Sequence, residues 1–499
     1  MIDGDEALFG IGAERILRGE FPVFLYGVPY MGMIQSYLAA PFIAAFGPRP
    51  AALRMATLLE ASLFIIATWH LARVLLGREV GLWAAAIAAL PALYVTVEGL
   101  KVWGSYTGVM AAGTEVMAQT WLLRHSTGPM LWKRWLVIGL IAGIALWSND
   151  VVIYYLSTAC FLVPWNRLAI WSGWSVPALL VGLMVGGAPL WSWNVANGLA
   201  TIHFLTAGAS VSNPRYGAVT HVLLVQLLPR VLGWTNPWTT GRTALIARPI
   251  AGAIAVCGLL TLVVGIAATR DRTRERQIAR RSSWPLIILL VVIIAVYLIS
   301  GFGRPSLTPF DASGRYLLPL WTVVAIGTGL FMDVLASHWR LAARILFAIY
   351  VITTLISYRG SQPKLVFQSP YWPYLPLDSR PLMQYLEARG IHDVWMNHWA
   401  GDGLMFLSDG RILTADYYDV LVGHGINRFP KVFETVWQAP YAAFVVILPK
   451  QGAIPPLRLA FAQNHIPFQE QTIGRYDIFL PLDGRVNPAE VIAGLRYPY

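Results

Sequence analysis

The sequence predicts a polytopic α-helical membrane protein of about ten transmembrane helices that ends in an extracytoplasmic α/β domain. Three observations lead there. Of the 499 residues, 56% are apolar and only 13% are charged, against roughly 25% charged in an ordinary soluble domain. Apolar runs close to the length that crosses a hydrocarbon core about 30 Å thick recur through residues 52–360. Beyond about residue 360 charged residues return and no run is long enough to span. The formal charge of +11 belongs, in such a protein, to cytoplasmic loops. No basic and aromatic nucleic-acid signature occurs, so no nucleic-acid partner is expected. Cys160 and Cys257 both lie inside apolar runs, which excludes a disulfide framework and a CxxC metal or redox pair. No signal-peptide pattern opens the chain, because Met1 is followed at once by Ile2-Asp3-Gly4-Asp5-Glu6.

Residues 1–51 read as a first external loop with interfacial helices, 52–360 as the transmembrane helical domain, and 361–499 as a soluble extracytoplasmic domain. The expected spans are 52–75, 80–98, 106–123, 135–148, 150–165, 173–192, 250–268, 284–301, 316–335 and 345–359. Only Ser148-Asn149-Asp150 separates 135–148 from 150–165, which predicts a tight hairpin or two tilted, partly buried helices. Basic residues alternate along the connections. Arg73 and Arg78, then Arg124, Lys133 and Arg134, then Arg167, then Arg270 to Arg281, then Arg340 and Arg344 mark one side as cytoplasmic. The amino-terminal segment, the turns near 99–105 and 148–150, the connections 193–249 and 302–315, and everything after 360 then share the external side. The expected location is the cell membrane, multi-pass, of the bacterial or archaeal inner-membrane kind.

In the last domain, helix-period stretches (Arg380–Ala388, Phe429–Trp437, Pro455–Ala462) alternate with strand-like runs (His392–Met396, Arg411–Thr414, Ala442–Leu448, Tyr476–Leu480). Glycines at 390, 410, 452 and 474 fall where turns are expected. No GxGxxG follows a strand, no HExxH, GxSxG or P-loop occurs, and no repeat period is present.

Polar residues at the edge of an apolar region carry the most information, because each charge there must be solvated or paired. Four such places lie on the expected external side. Asp3, Asp5 and Glu6 form either an acidic terminus exposed to water or a source of a general base for an acceptor hydroxyl. Glu98, Lys101 and Gly104-Ser105-Tyr106-Thr107 form a helix-joining turn, polar either for solubility or for a ligand. Asp150 is either a turn and cap residue or a second carboxylate facing the same cavity. Arg315, followed by Tyr316, is either an interfacial snorkelling side chain or a guanidinium that grips a phosphate bidentately at the membrane surface. Charges gathered at loop and helix junctions, instead of mid-membrane, suit an interfacial enzyme better than an ion path.

Several of these residues lie in a wider pattern. Asp5-Glu6-Ala7, Ile16 to Pro22, Tyr26-Gly27-Val28-Pro29-Tyr30-Met31-Gly32, Pro41 to Gly47 and Ala52-Leu53-Arg54 resemble the first external loop and second helix of GT-C membrane glycosyltransferases. The nearest kin by resemblance are the dolichyl-phosphate-mannose-protein mannosyltransferase and aminoarabinose transferase superfamily. Pro189-Leu190-Trp191 with Asn194 and Asn197, Arg315 to Leu320, and Phe406-Leu407-Ser408 extend it. The resemblance implies sugar transfer from a polyprenyl-phosphate donor to a glycan, lipid or protein acceptor on the non-cytoplasmic side. It maps the catalytic base onto Asp5, with Glu6 adjacent, and the donor phosphate onto Arg315, with Lys101 and Tyr316. Tyr26, Tyr30 and Asn194 then line the donor and acceptor pocket. No metal ligand is assigned, and a requirement for a divalent ion stays open. The stretch Gly104 to Gly108 lacks the Glu that related sequences often place after a Gly-Tyr pair, which leaves Asp150 as the second acid. The family pattern also sets a helix before the Asp5 loop, so the expectation is a late gene start or a missing first span. Two other functions are carried: a transporter or flippase of lipid-linked glycans, and an inactive relative whose last domain is a binding module.

Overall fold

The computed structural model describes residues 2–171, 173–209, 216–239, 241–268, 282–300, 312–362, 375–422, 425–450 and 452–495. The basic stretch Arg270 to Arg281 and Pro309-Phe310-Asp311 lie outside the described residues. The chain gathers into two compact units. One holds Met1–Pro29, Met33–Ala56 and Phe367–Tyr499; the other holds Tyr30–Gly32 and Thr57–Val366.

Each expected apolar run contains a helix, but the count of ten full spans is not reached. Among the described residues five helices are long and apolar enough to cross a membrane: Pro50–Leu76, Met130–Ser148, Arg242–Val264, Gly314–His338 and Arg340–Arg359. Two further runs are broken. Arg78–Ala88 and Leu93–Leu100 meet at 73°, and Ser175–Gly186 and Ala188–Ala196 at 70°, so that counting each pair once gives seven. Pro91 stands in the first break and Pro189 opens the helix after the second, and proline offers no N–H to carry the ladder through. Asp150–Leu162 and Trp284–Ile299 are shorter, and Tyr106–Leu122 has 17 residues. A hydropathy pattern marks each run but not the backbone break inside it.

Helices Pro129–Ser148 and Ser175–Gly186 pack through glycines at both surfaces. A Cβ placed on Gly139, Gly143, Gly182 or Gly186 would stand under 3.0 Å from the backbone carbonyl of Leu179, Leu183, Leu136 or Leu140 respectively. Each helix therefore carries a GxxxG face, and the missing side chains let the two backbones touch, the close approach that dispersion rewards inside lipid.

The smaller unit starts with helix Gly4–Leu17. Asp3 caps it, its Oδ1 accepting the Glu6 N–H at 3.0 Å, while Asp5 and Glu6 in the first turn and Arg15 in the last complement the helix dipole. Most of this helix is buried, so it is no solvated terminus. Gly4 lies against the His398 carbonyl and Gly10 under the Phe406 ring, where no side chain fits. Short strands β1 (Phe24–Leu25) and β2 (Val28–Gly32) follow, and then helix Ile34–Phe46.

Five more strands form one sheet: β3 (Asp393–Met396), β4 (Leu413–Ala415), β5 (Ala443–Ile447), β6 (Phe468–Ile473) and β7 (Tyr476–Pro481), in the order β4-β3-β5-β7-β6. β3 pairs parallel with β4 and β5, and β7 antiparallel with β5 and β6. Alternation sorts the side chains. Val394, Met396, Val445 and Ile478 face Leu382, Leu386 and Leu404 on one side; Trp395, Phe444 and Phe479 face Val436, Leu457 and Phe461 on the other. Helices Arg380–Ala388, Pro430–Gln438 and Pro456–Gln463 stand where the periodicity put them. The sequence reading missed β6, a mostly exposed edge strand with polar side chains, and helix His398–Leu407, whose two internal glycines weaken its helical signature.

Candidate active site

The larger unit brings together Lys101, Asp150, Arg315 and Tyr316. The backbone sets this up. Gly104 (φ 133°) and Ser105 (φ 57°) hold left-handed conformations in the turn before helix Tyr106–Leu122. Strain at a serine persists only where it is held. The Ser105 hydroxyl donates to the buried Glu60 carboxylate, and Asn149 Nδ2 donates to the Gly104 carbonyl at 2.8 Å. Asn149 also accepts the Val151 N–H at 3.1 Å, which caps the turn that carries Asp150. Two turns 45 residues apart are thus tied into one floor.

Above that floor the cations sit on aromatic faces. Lys101, only 3% exposed, places Nζ 4.6 Å from the centre of the Trp103 ring. Arg315 Cζ lies 5.1 Å from the same ring, 5.7 Å from Tyr106 and 5.3 Å from Tyr316. Arg315 Nη2 also donates to the Tyr316 hydroxyl at 3.4 Å, so the two residues act together. Asp150 feels the charge of Arg315, and its Oδ1 is buried with no hydrogen-bond partner. An apolar cleft of about 220 Å³ lies within the same unit. Its wall includes Leu100 and Thr107, chain neighbours of Lys101 and Tyr106, with Leu318, and it continues to Pro91, Trp321 and Tyr358. A cation cluster and an apolar cleft within one helical unit are the two parts that an amphipathic ligand needs.

Tyr30 is near enough to Tyr106 for their hydroxyls to interact electrostatically, and its ring stands 5.3 Å from Phe204. Asn194 is spent locally. Its amide donates to the Leu190 carbonyl and the Thr201 hydroxyl and accepts the Thr201 N–H, bonds that shape the turn before helix Ala200–Ala209.

Asp5, Glu6 and Tyr26 belong to the smaller unit. There Asp5 and Glu6 differ sharply. Glu6 is fully buried and takes a bidentate pair from Arg54, Nε to Oε1 at 2.9 Å and Nη2 to Oε2 at 2.7 Å. Asp5 is half-buried and close enough to Asp402 to repel it. Of the two carboxylates, Glu6 is committed to structure. The Tyr26 ring packs 4.7 Å from Phe429, with the Arg15 guanidinium 5.0 Å from both. Among the described residues no three His, Cys, Asp or Glu side chains gather to hold a metal ion.

The sequence reading missed Arg54, Glu60 and Trp103 as parts of these arrangements. A signal existed for two of them: Arg54 and Glu60 are charges inside the first apolar run, and such charges need partners.

No protein-family profile matches the chain, and no curated protein matches it in sequence. Solved structures do match in shape. The crystal structure of ArnT from Cupriavidus metallidurans bound to undecaprenyl phosphate superposes with a TM-score of 0.58 at 14% identity, covering 99% of this chain and 95% of that one. The chain has the ArnT fold. ArnT in the apo state gives 0.56 at 13% identity over 99% and 94%. Archaeal oligosaccharyltransferase AglB from Archaeoglobus fulgidus, in complex with an inhibitory peptide and a dolichol-phosphate, gives 0.44 at 12% over 99% and 73%. The GT-C resemblance read from short motifs holds at the level of the fold, and the ArnT fold with these apolar helices makes this a multi-pass membrane protein.

Proposed function

We propose that this protein is a membrane glycosyltransferase that moves a sugar from a polyprenyl-phosphate donor to an acceptor on the non-cytoplasmic side of the membrane. The observation that carries the reading is the cation pair Lys101 and Arg315, held on Trp103 in a helical unit that also opens an apolar cleft. That ArnT of the same fold was crystallised with undecaprenyl phosphate supports it.

In this reading Arg315, Lys101 and Tyr316 bind the donor phosphate and stabilise the charge that builds on it as the anomeric C–O bond breaks. Asp5 takes the proton from the acceptor hydroxyl as its oxygen forms the new bond, and the lipid phosphate leaves with the electron pair. Asp150 steadies the guanidinium. Inversion at the anomeric carbon follows from a single displacement. The basic connections face the cytoplasm, and the carboxy-terminal domain lies outside it.

One feature favours a transporter as the second reading. Inside the helical unit His70 Nδ1 stands 2.8 Å from Glu115, which accepts from Gln119 at 2.6 Å, and Gln119 in turn accepts from Arg134 at 2.6 Å, a linked polar row of the kind that transport proteins carry. Purified protein given a radiolabelled polyprenyl-phosphate sugar separates the two. Release of lipid phosphate, with the donor KM raised in Arg315→Gln, supports the transferase; movement of intact donor between leaflets without release refutes it.

A further inference from the structure

The smaller unit opens a cleft of about 350 Å³ at the carboxyl ends of the parallel strands β3 and β4, the end of an open α/β sheet where ligands bind. Its polar lining is unusual. Asp402, from helix His398–Leu407, is 4% exposed, and its Oδ2 has no hydrogen-bond partner; Thr414 Oγ1 is likewise buried and unpartnered. Asp416 accepts the His398 backbone N–H at 3.0 Å and its carboxylate lies 3.2 Å from His398 Nδ1, which fixes the imidazole ring at the cleft. Phe429 and Phe433 supply apolar wall.

A buried carboxyl without a donor costs free energy that a ligand donor recovers. Burial pushes the Asp402 carboxyl up to about 7, against the pull of His398 and Arg428 and with help from Asp416 and Asp5. Near neutral pH it therefore both donates and accepts, as does Thr414. Arg428 in the lining balances the Asp416 carboxylate, so the cleft carries no strong excess of either sign. The complement is a neutral ligand with hydroxyls that donate and accept along one edge and C–H groups on its face, which describes a sugar ring.

We propose that this cleft is a carbohydrate subsite, in which Asp402, Thr414 and His398 take the hydroxyls of a sugar ring and Phe429 and Phe433 its apolar face. Its role as the seat of a glycan acceptor rests on the transferase reading; sugar binding itself does not. The test uses the full-length protein in detergent without donor. Saturation-transfer NMR is run against methyl glycosides of glucose, galactose, mannose, N-acetylglucosamine, xylose and arabinose. The expected result is saturable binding of at least one glycoside, weakened about tenfold or more in Asp402→Asn and in Phe433→Ala. Thr414→Val carries the same test if Asp402→Asn does not fold. No binding by any glycoside, or binding unchanged in folded Asp402→Asn and Thr414→Val, overturns the proposal. If lipid phosphate is released from donor but no sugar binds, the subsite falls and the transferase stands. If sugar binds but donor is not consumed, the transferase falls and the subsite stands.

Discussion

Glu6→Gln tests the division of labour between the two adjacent carboxylates, because it keeps the side-chain shape and removes only the charge. Glu6 is 0% exposed and its partner Arg54 is 16% exposed, with two charge-assisted hydrogen bonds joining residues 48 apart. Breaking a buried pair costs about 3–5 kcal/mol, most of it the penalty of leaving one charge uncompensated. Arg54 keeps some contact with water, which places the cost near the lower end, about 3 kcal/mol. For a unit of this size that lowers the melting temperature by roughly 6–12 °C. Arg54→Met strands the fully buried carboxylate and should cost more, while the double variant should recover part of the loss. Thermal melting followed by tryptophan fluorescence in detergent reads all three. Below the melting range, Glu6→Gln should turn over near the parental rate. A Glu6→Gln melt within about 1 °C of the parent, or a double variant that merely adds the two single losses, refutes the structural assignment.

Asp5→Asn should behave in the opposite way, with turnover at saturating donor lowered by about 10²- to 10⁴-fold and melting unchanged. Parental turnover in a folded Asp5→Asn protein removes it as the base. Gly143→Val places a branched side chain where a Cβ already stands 2.5 Å from the Leu183 carbonyl, so size-exclusion chromatography should show loss of the monodisperse protein; Gly217→Ala, with open space around it, should be tolerated. Glu14 predicts a pH effect. Burial raises its carboxyl from 4.5 to about 8, with Asp409 adding to the rise and Arg18 opposing it. The folded state then holds a proton that the unfolded state has lost, so this contribution is whole below about pH 4.5, shrinks as pH rises and is gone above about 8, up to about 5 kcal/mol in all. Melting of Glu14→Gln against the parent between pH 5 and 9 should diverge in the variant's favour as pH rises, and parallel curves would contradict the assignment.

The sequence by itself determined what depends on neighbours a few residues away. Apolar run length marked where the membrane helices lie, and short strand-like runs between turn signals marked β3, β4, β5 and β7, because run length and turn residues are local features of the chain. Asp3-Gly4-Asp5-Glu6 was legible as an acidic cluster and 148–150 as a turn, but that Asp3 and Asn149, not Asp150, are the caps came only with the structure. Tertiary structure decided which charges meet. That Glu6 finds Arg54, that Glu60 holds Ser105, and that Lys101 and Arg315 share the Trp103 ring are contacts across 45 residues or more for the first two and over 200 positions for the last. No periodicity encodes them, since a buried charge specifies only that a partner exists. Packing the helices selects which one. The same holds for the bends at Pro91 and before Pro189: proline permits a break, while the neighbours that hold the freed segments set the angle at 73° and 70°.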